Sequence, residues 1–215
     1  MHFIDRSSAP VPPCLVVPPA RYKDLRGPDK EEIRTTLLTI QGDRCAYCER
    51  RTGDGYKDGH IEHFRNQANH EHLECSWTNM YWSCNDESTC GKYKDKCSHT
   101  SGPQKLFNPD HIINPGVEDP EKFFFFVYDG TISLVDTLNE AEKLRAEETL
   151  RIFQLRSVLL KKSREDAVSP IKRIVEMLLE KNPELLPSYI ENELSKLTTT
   201  SFPTPIKNFL KSVTI

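Results

Sequence analysis

The stretch Gly59-His60-Ile61-Glu62-His63-Phe64 lies between two pairs of cysteines, Cys45-Ala46-Tyr47-Cys48 before it and Cys84 with Cys90 after it. Residues 43–97 carry most of the cysteine and histidine of the chain and few aliphatic side chains. Such a segment cannot bury a large apolar core, so a bound metal is the expected fixative. Two thiolate pairs drawn together from distant positions give the tetrahedral site that zinc prefers. The first pair has the spacing of a zinc knuckle. The second is wider than the usual two to four residues, and Cys97 or His99 is a candidate to replace one of its members. Cys14 and Cys75 read as ordinary cysteines.

Outward from this segment, the composition is that of an ordinary soluble domain: 215 residues, 37% hydrophobic and 28% charged, with a formal net charge of −3. That charge argues against a protein that coats nucleic acid by bulk attraction. It leaves open a local basic strip which, with a metal ion, holds phosphate. The most apolar early stretch, residues 11–20, contains Pro12, Pro13, Pro18 and Pro19 and is too short to cross a bilayer. The expectation is a cytoplasmic protein with reduced thiols, for which an odd count of seven cysteines fits a disulfide framework poorly.

The predicted fold class is α+β, in three parts. Residues 1–42 are a proline-rich arm, read as extended and lying on another surface, with a lead-in helix over 29–41 marked by Ile33, Leu37 and Leu38. Residues 43–97 are the cysteine-clamped core. Residues 98–215 contain a hairpin with a type I′-like turn at Asp129-Gly130, between Phe123-Phe124-Phe125-Phe126-Val127-Tyr128 and Thr131-Ile132-Ser133-Leu134-Val135. A long helical pattern then runs through Leu138, Leu144, Leu155 and Val158, with further helices over 170–181 and 187–197. Arg151, Lys162 and Arg173 would share one face of an unbroken helix, which Pro170 argues against.

In the central stretch, strand alternation places Ile61 and His63 on one face and His60, Glu62 and Phe64 on the other. Asn79 follows in Trp77-Thr78-Asn79-Met80, and Cys90-Gly91-Lys92-Tyr93-Lys94-Asp95 has the look of a helix start. This order resembles the HNH, or ββα-metal, nuclease motif. The resemblance implies that Glu62 is the acidic residue before the general-base His63, that Asn79 hydrogen-bonds the loop backbone to orient the histidine, and that Cys90 opens a helix with Lys94 four positions on. The family usually has His or Asn as a metal ligand directly after the last cysteine, where this chain has Gly91. Asp95 is the expected substitute, with Asn85 and Asp86 as lesser candidates.

The residue types suit phosphodiester hydrolysis. An imidazole such as His63 takes a proton from water near neutral pH. Glu62 and Asp95 offer hard oxygen ligands for a catalytic Mg2+ or Mn2+. Arg65 and Lys94 are candidate nucleic-acid contacts, equally readable as solvated charges. His60, two residues from Glu62, ranks below His63 as base or ligand, and His70, His72, His99 and His111 read as surface residues.

Beyond the motif, Cys45-Ala46-Tyr47-Cys48-Glu49, Ile61-Glu62-His63-Phe64-Arg65 and Cys90-Gly91-Lys92-Tyr93-Lys94-Asp95, together with Asn114-Pro115 and Asp119-Pro120-Glu121 downstream, look like the PtuB-type HNH subunit of bacterial Septu antiphage systems, which also occurs beside some retrons. The resemblance covers roughly residues 21–168. It implies a DNA or RNA substrate, a PtuA-like ABC/SMC-type ATPase partner, and for the retron-linked subunits a reverse transcriptase with its nucleic acid. No phosphate-binding Gly-rich loop is present, so ATP dependence would come from that partner, docked on the arm and on the 138–168 helix. The competing reading is a zinc-ribbon binding module without catalysis. A thiol oxidoreductase using Cys45 and Cys48 lacks the expected βαβ surroundings.

Overall fold

A computed structural model describes residues 1–53, 55, 57–99 and 107–213, with 97–99 described by their backbone alone. The first helix, α1 (Gly27–Gln41), begins where the Asp29 carboxylate accepts the backbone amide of Arg26 at 3.0 Å, and it ends at Gly42, whose φ of 60° is easy for glycine. After it come strands β1 (Gly59–His63) and β2 (Met80–Cys84), an antiparallel pair in which Ile61 faces Trp82 and Glu62 faces Tyr81. Helix α2 (Cys90–His99) follows, so the order around the cysteines is strand, strand, helix. The remainder is α+β as well: β3 (Phe124–Phe126) pairs with β4 (Ile132–Leu134), then come α3 (Glu140–Ile152), α4 (Val158–Lys181), α5 (Leu186–Ser195) and α6 (Pro203–Val213).

The β1–β2 ribbon is buried on both faces. On one side Ile61, Met80 and Trp82 pack against Ile33, Leu37 and Leu38 of α1. On the other, Phe64 and Tyr81 join a cluster with Tyr47, Phe126, Leu150 and Phe153. A third cluster, around Val175, Ile206 and Leu210, holds α4, α5 and α6 together. Two long polar side chains tie the layers. Gln41 pairs both backbone groups of Trp82, accepting its amide at 2.9 Å and donating to its carbonyl at 2.8 Å. Buried Arg164 donates to the carbonyls of Gly130, at 2.8 Å, and Leu155, fastening the second hairpin to α4.

Three expectations need correction. The proline-rich segment lies on its own chain: Met1 and Ile4 are in the central cluster, and Leu15 and Leu25 pack on the α1 side. Arg6 anchors it further, donating to the carbonyls of Trp77 and Met80 at 2.9 and 2.7 Å. Second, the helical pattern from 138 onward is two helices, broken at 153–157, where Gln154 has a φ of 49° and the Ser157 side chain caps the second. Pro170 lies inside α4, and the break before it puts Arg151 on a different helix from Lys162 and Arg173. Third, the 128–130 turn is not type I′, which requires two positive φ values. Only Gly130 has one, at 81°, its amide bonding the Val127 carbonyl at 3.0 Å and Val127 bonding Thr131 at 2.9 Å, the pattern of a type I turn closed by a glycine bulge.

Two stability predictions follow from this turn. A Cβ on Gly130 would collide with the Lys161 carbonyl in a backbone conformation that disfavours side chains, so Gly130→Ala should cost about 1–3 kcal/mol in urea unfolding. Asp129 accepts bonds from Lys161 and from Thr131, and these lower its pKa to about 2. A carboxylate with a depressed folded pKa adds stability above its unfolded value of about 4 and loses it as pH falls. Asp129→Asn should therefore be less stable than wild type at pH 7, by under about 1 kcal/mol because the pair is half exposed. The gap should close between about pH 4 and pH 2.

Candidate active site and metal centre

Cys45, Cys48, Cys84 and Cys90 are all buried, and their sulfurs lie within 4.8 Å of one another. They come from three elements: the turn after α1, the end of β2 and the first residue of α2. In the turn the Cys45 amide bonds the Arg50 carbonyl at 3.0 Å and the Glu49 amide returns to Cys45 at 3.1 Å. The wide gap between Cys84 and Cys90 is taken up by a side-chain turn, in which the Asp86 carboxylate accepts the amide and hydroxyl of Ser88 at 2.9 and 2.6 Å. Cys90 enters α2 with a φ of 56°, its amide held by the Phe153 carbonyl at 2.9 Å.

The four residues fit zinc. Sulfurs about 2.3 Å from a tetrahedral ion sit about 3.8 Å apart, and those of Cys48 and Cys84 are 4.0 Å apart. The positive charges of Arg50 and Arg164 act on these thiols and offset the charge of a four-thiolate centre. The side chains of Cys97 and His99 lie outside the described residues.

Beside this clamp is a cavity of about 300 Å³ bordered by Tyr22, Glu62, His63, Gln67 and Asp95, among others. Glu62 and His63 leave β1 on opposite faces, but His63 ends the strand, and both reach the cavity wall. The His63 Nε2 lies 2.9 Å from the Glu74 carbonyl. A carbonyl only accepts, so Nε2 carries the proton and Nδ1 is the basic nitrogen. Burial lowers the imidazole pKa, the Glu74 bond pulls it back in part, and the nearby Lys94 charge lowers it again. The ring is therefore neutral at pH 7.

Glu62 is fully enclosed. Its Oε2 accepts the Tyr47 hydroxyl, and its Oε1 lies 2.7 Å from the Lys94 ammonium. Burial raises its pKa, and Lys94 opposes the rise. Lys94 also contacts Asp95 Oδ1 and the His63 carbonyl, both at 2.8 Å. Lys94 is 0% exposed and Asp95 43% exposed, so only the second reaches solvent. This corrects the reading of Lys94 as a phosphate contact: it is an interior countercharge between two carboxylates. Arg65 pairs with Asp110 and is partly exposed.

Asn79 binds the backbone on both sides of the loop after β1. It accepts the Arg65 amide at 2.8 Å and donates to the carbonyls of Arg65 and Leu73 at 3.0 and 3.1 Å. His60 is turned away, its Nδ1 2.9 Å from Asn85, and neither residue borders the cavity. Asp86 is occupied with Ser88 and Arg50. Gly91 has a steric reason: a Cβ there would strike Glu62 Cγ. The carboxylate arm of Glu62 thus fills the space a side chain at 91 would use. Asp95 offers a solvent-reaching oxygen of the kind a hard divalent ion takes, whereas both oxygens of Glu62 are already engaged, one by Tyr47 and one by Lys94.

Sequence reasoning missed Tyr47, inside the first cysteine pair, and the Tyr22 and Glu74 contacts of His63. An aromatic between two metal ligands hints at a buried partner, but nothing local signals the other two.

Replacing Cys84 or Cys90 by Ser should reduce bound zinc, measured by metal analysis of purified protein, and lower the cooperativity of thermal unfolding. Lys94→Met should cost about 3 kcal/mol or more at pH 7, because Glu62 would be left buried without its cation. Glu62 would then hold its proton more tightly when folded than unfolded. The penalty should therefore shrink as pH falls toward about 4, in pH-dependent urea titrations.

No family model matches this chain. It is similar to "Septu protein PtuB" of Bacillus thuringiensis, with 29% identity over 91 residues that take in 42% of this chain. The match spans 31% of that protein, about a third of its length. Among the described residues no helix is long and apolar enough to cross a membrane. The chain is thus similar to PtuB over part of its length, and its four buried cysteines are placed to hold a metal ion.

Proposed function

We propose that the chain is a metal-dependent HNH-type endonuclease that hydrolyses phosphodiester bonds of DNA or RNA. The observation that carries this reading is that His63, Glu62 and Asp95 border one cavity beside the cysteine clamp, on a strand-strand-helix unit. His63, neutral and held through Nε2, is the general base that takes a proton from the attacking water at Nδ1. Asn79 keeps the loop after β1 in place, and with it the His63 ring. Tyr47 and Lys94 hold the Glu62 carboxylate in a fixed rotamer. A bound Mg2+ or Mn2+ would neutralise charge on the phosphate and leaving oxygen; Asp95, with Glu62 behind it, is the group to hold it. Arg65, partly exposed and next in sequence to cavity residue Asn66, exchanges Asp110 for a substrate phosphate.

The likeness to Septu protein PtuB extends the proposal to an antiphage effector controlled by a PtuA-like ATPase, and for retron-linked relatives by a reverse transcriptase with its nucleic acid. Docking falls to exposed apolar side chains such as Val16 and Val17 in the N-terminal segment and Val158 and Leu159 at the start of α4.

His63→Ala should keep zinc and cooperative unfolding but cleave at least about 100-fold more slowly in the presence of Mg2+ or Mn2+ and the ATPase partner. The competing reading, a zinc-ribbon binding module, gains from the Lys94 ammonium between the two carboxylates. No cleavage by either protein would decide for it, while equal cleavage by both would remove His63 as the base.

A further inference from the structure

The loop joining β1 to β2 supplies the carbonyl of Glu74 that holds His63 Nε2 at 2.9 Å. Within the loop, the Glu74 amide bonds the Glu71 carbonyl at 3.1 Å, and its neighbours are held by Asn79 on the Leu73 carbonyl and by burial of Cys75. The Glu74 side chain, in contrast, is clamped from outside. Arg21 donates to it from Nε at 3.1 and 3.2 Å and from Nη2 at 2.9 Å, and the Tyr22 amide adds a bond at 2.9 Å. The Tyr22 ring then meets the His63 ring edge-on, centroids 4.8 Å apart, as part of the cavity wall. These contacts bring a segment distant in sequence onto both the Glu74 carboxylate and the His63 ring.

We propose that Arg21 is a positioning residue: through the Glu74 carboxylate it fixes the carbonyl that holds His63 in the Nε2-protonated form. A paired fork of charged hydrogen bonds sets the carboxylate in direction as well as distance, which one bond would not. The backbone of Glu74 then has little freedom, and the carbonyl stays aimed at one ring nitrogen. Tyr22 packs its ring edge-on to the same imidazole. The N-terminal segment thereby becomes part of the site. The inference rests on His63 as the general base; the clamp geometry itself does not.

The test uses full-length protein with 15N-labelled histidine and compares wild type with Arg21→Ala, Arg21→Lys and Glu74→Gln. Ring-nitrogen chemical shifts report the tautomer, and Mn2+-dependent cleavage of DNA with the ATPase partner reports kcat and KM. Wild type should show a single Nε2-protonated form for His63. Arg21→Ala and Glu74→Gln should show a mixture, with kcat reduced about 10- to 100-fold and KM little changed. Arg21→Lys should recover only part of this, since an ammonium lacks the paired donors. Should Glu74→Gln fail to fold, Arg21→Ala decides, because the Arg21 side chain is 42% exposed. An unmixed Nε2-protonated form with wild-type kcat in folded Arg21→Ala overturns the proposal. Full cleavage by His63→Ala, with the tautomer still responding to Arg21, would leave the clamp standing and remove the general-base reading instead.

Discussion

Four buried sulfurs are the constraint from which the rest of this molecule is hung. Cys45 and Cys48 follow α1, Cys84 ends β2 and Cys90 opens α2, so one ion held among them would join the turn after α1 to β2 and α2, with β1 attached through its pairing to β2. The ribbon of β1 and β2 is only five residues long per strand, and an isolated hairpin of that size is marginal in water. Stapling its end to a helix and sandwiching it between two apolar clusters makes it rigid. Tyr47 extends this effect: it sits between two of the cysteines, stacks on Phe153 with centroids 3.9 Å apart, and bonds Glu62.

Buried charge is the second theme. Glu62 and Lys94 are both removed from water, a costly arrangement whose pairing roughly offsets the loss of solvation. Its value lies in geometry more than in stability, since the same ammonium reaches Asp95 and the backbone of His63. A cation at this point ties together three of the residues that border the cavity, Glu62, His63 and Asp95. Gly91 belongs to the same arrangement, because a side chain there and the longer arm of Glu62 cannot occupy one space.

The N-terminal segment changes character once seen in place. Proline-rich and without periodicity, it resembles a linker, yet Ile4 and Leu15 are core residues, and Arg6 and Arg21 both grip the second half of the loop between β1 and β2, at Trp77 and at Glu74. Prolines suit it because they stiffen an extended chain and need no amide partners. Its outward side chains, Val16 and Val17, remain available to a partner while its inward ones build the site.

Much of the central unit was legible in the linear order of residues. Alternation around Ile61 and His63 gave the faces of β1, the spacing of Ile33, Leu37 and Leu38 gave a helix over 29–41 close to the observed Gly27–Gln41, and clustered cysteines in an aliphatic-poor stretch gave the candidate metal site. The break at 153–157 and the glycine bulge at Gly130 escaped, since each depends on contacts with α4 and the second hairpin. Lys94 read as a phosphate contact or a solvated charge, because nothing near it in sequence reports that Glu62 and Asp95 will flank it. The Arg21–Glu74 clamp was beyond reach for the same reason: two charged residues far apart along the chain become partners only when packing removes the water between them.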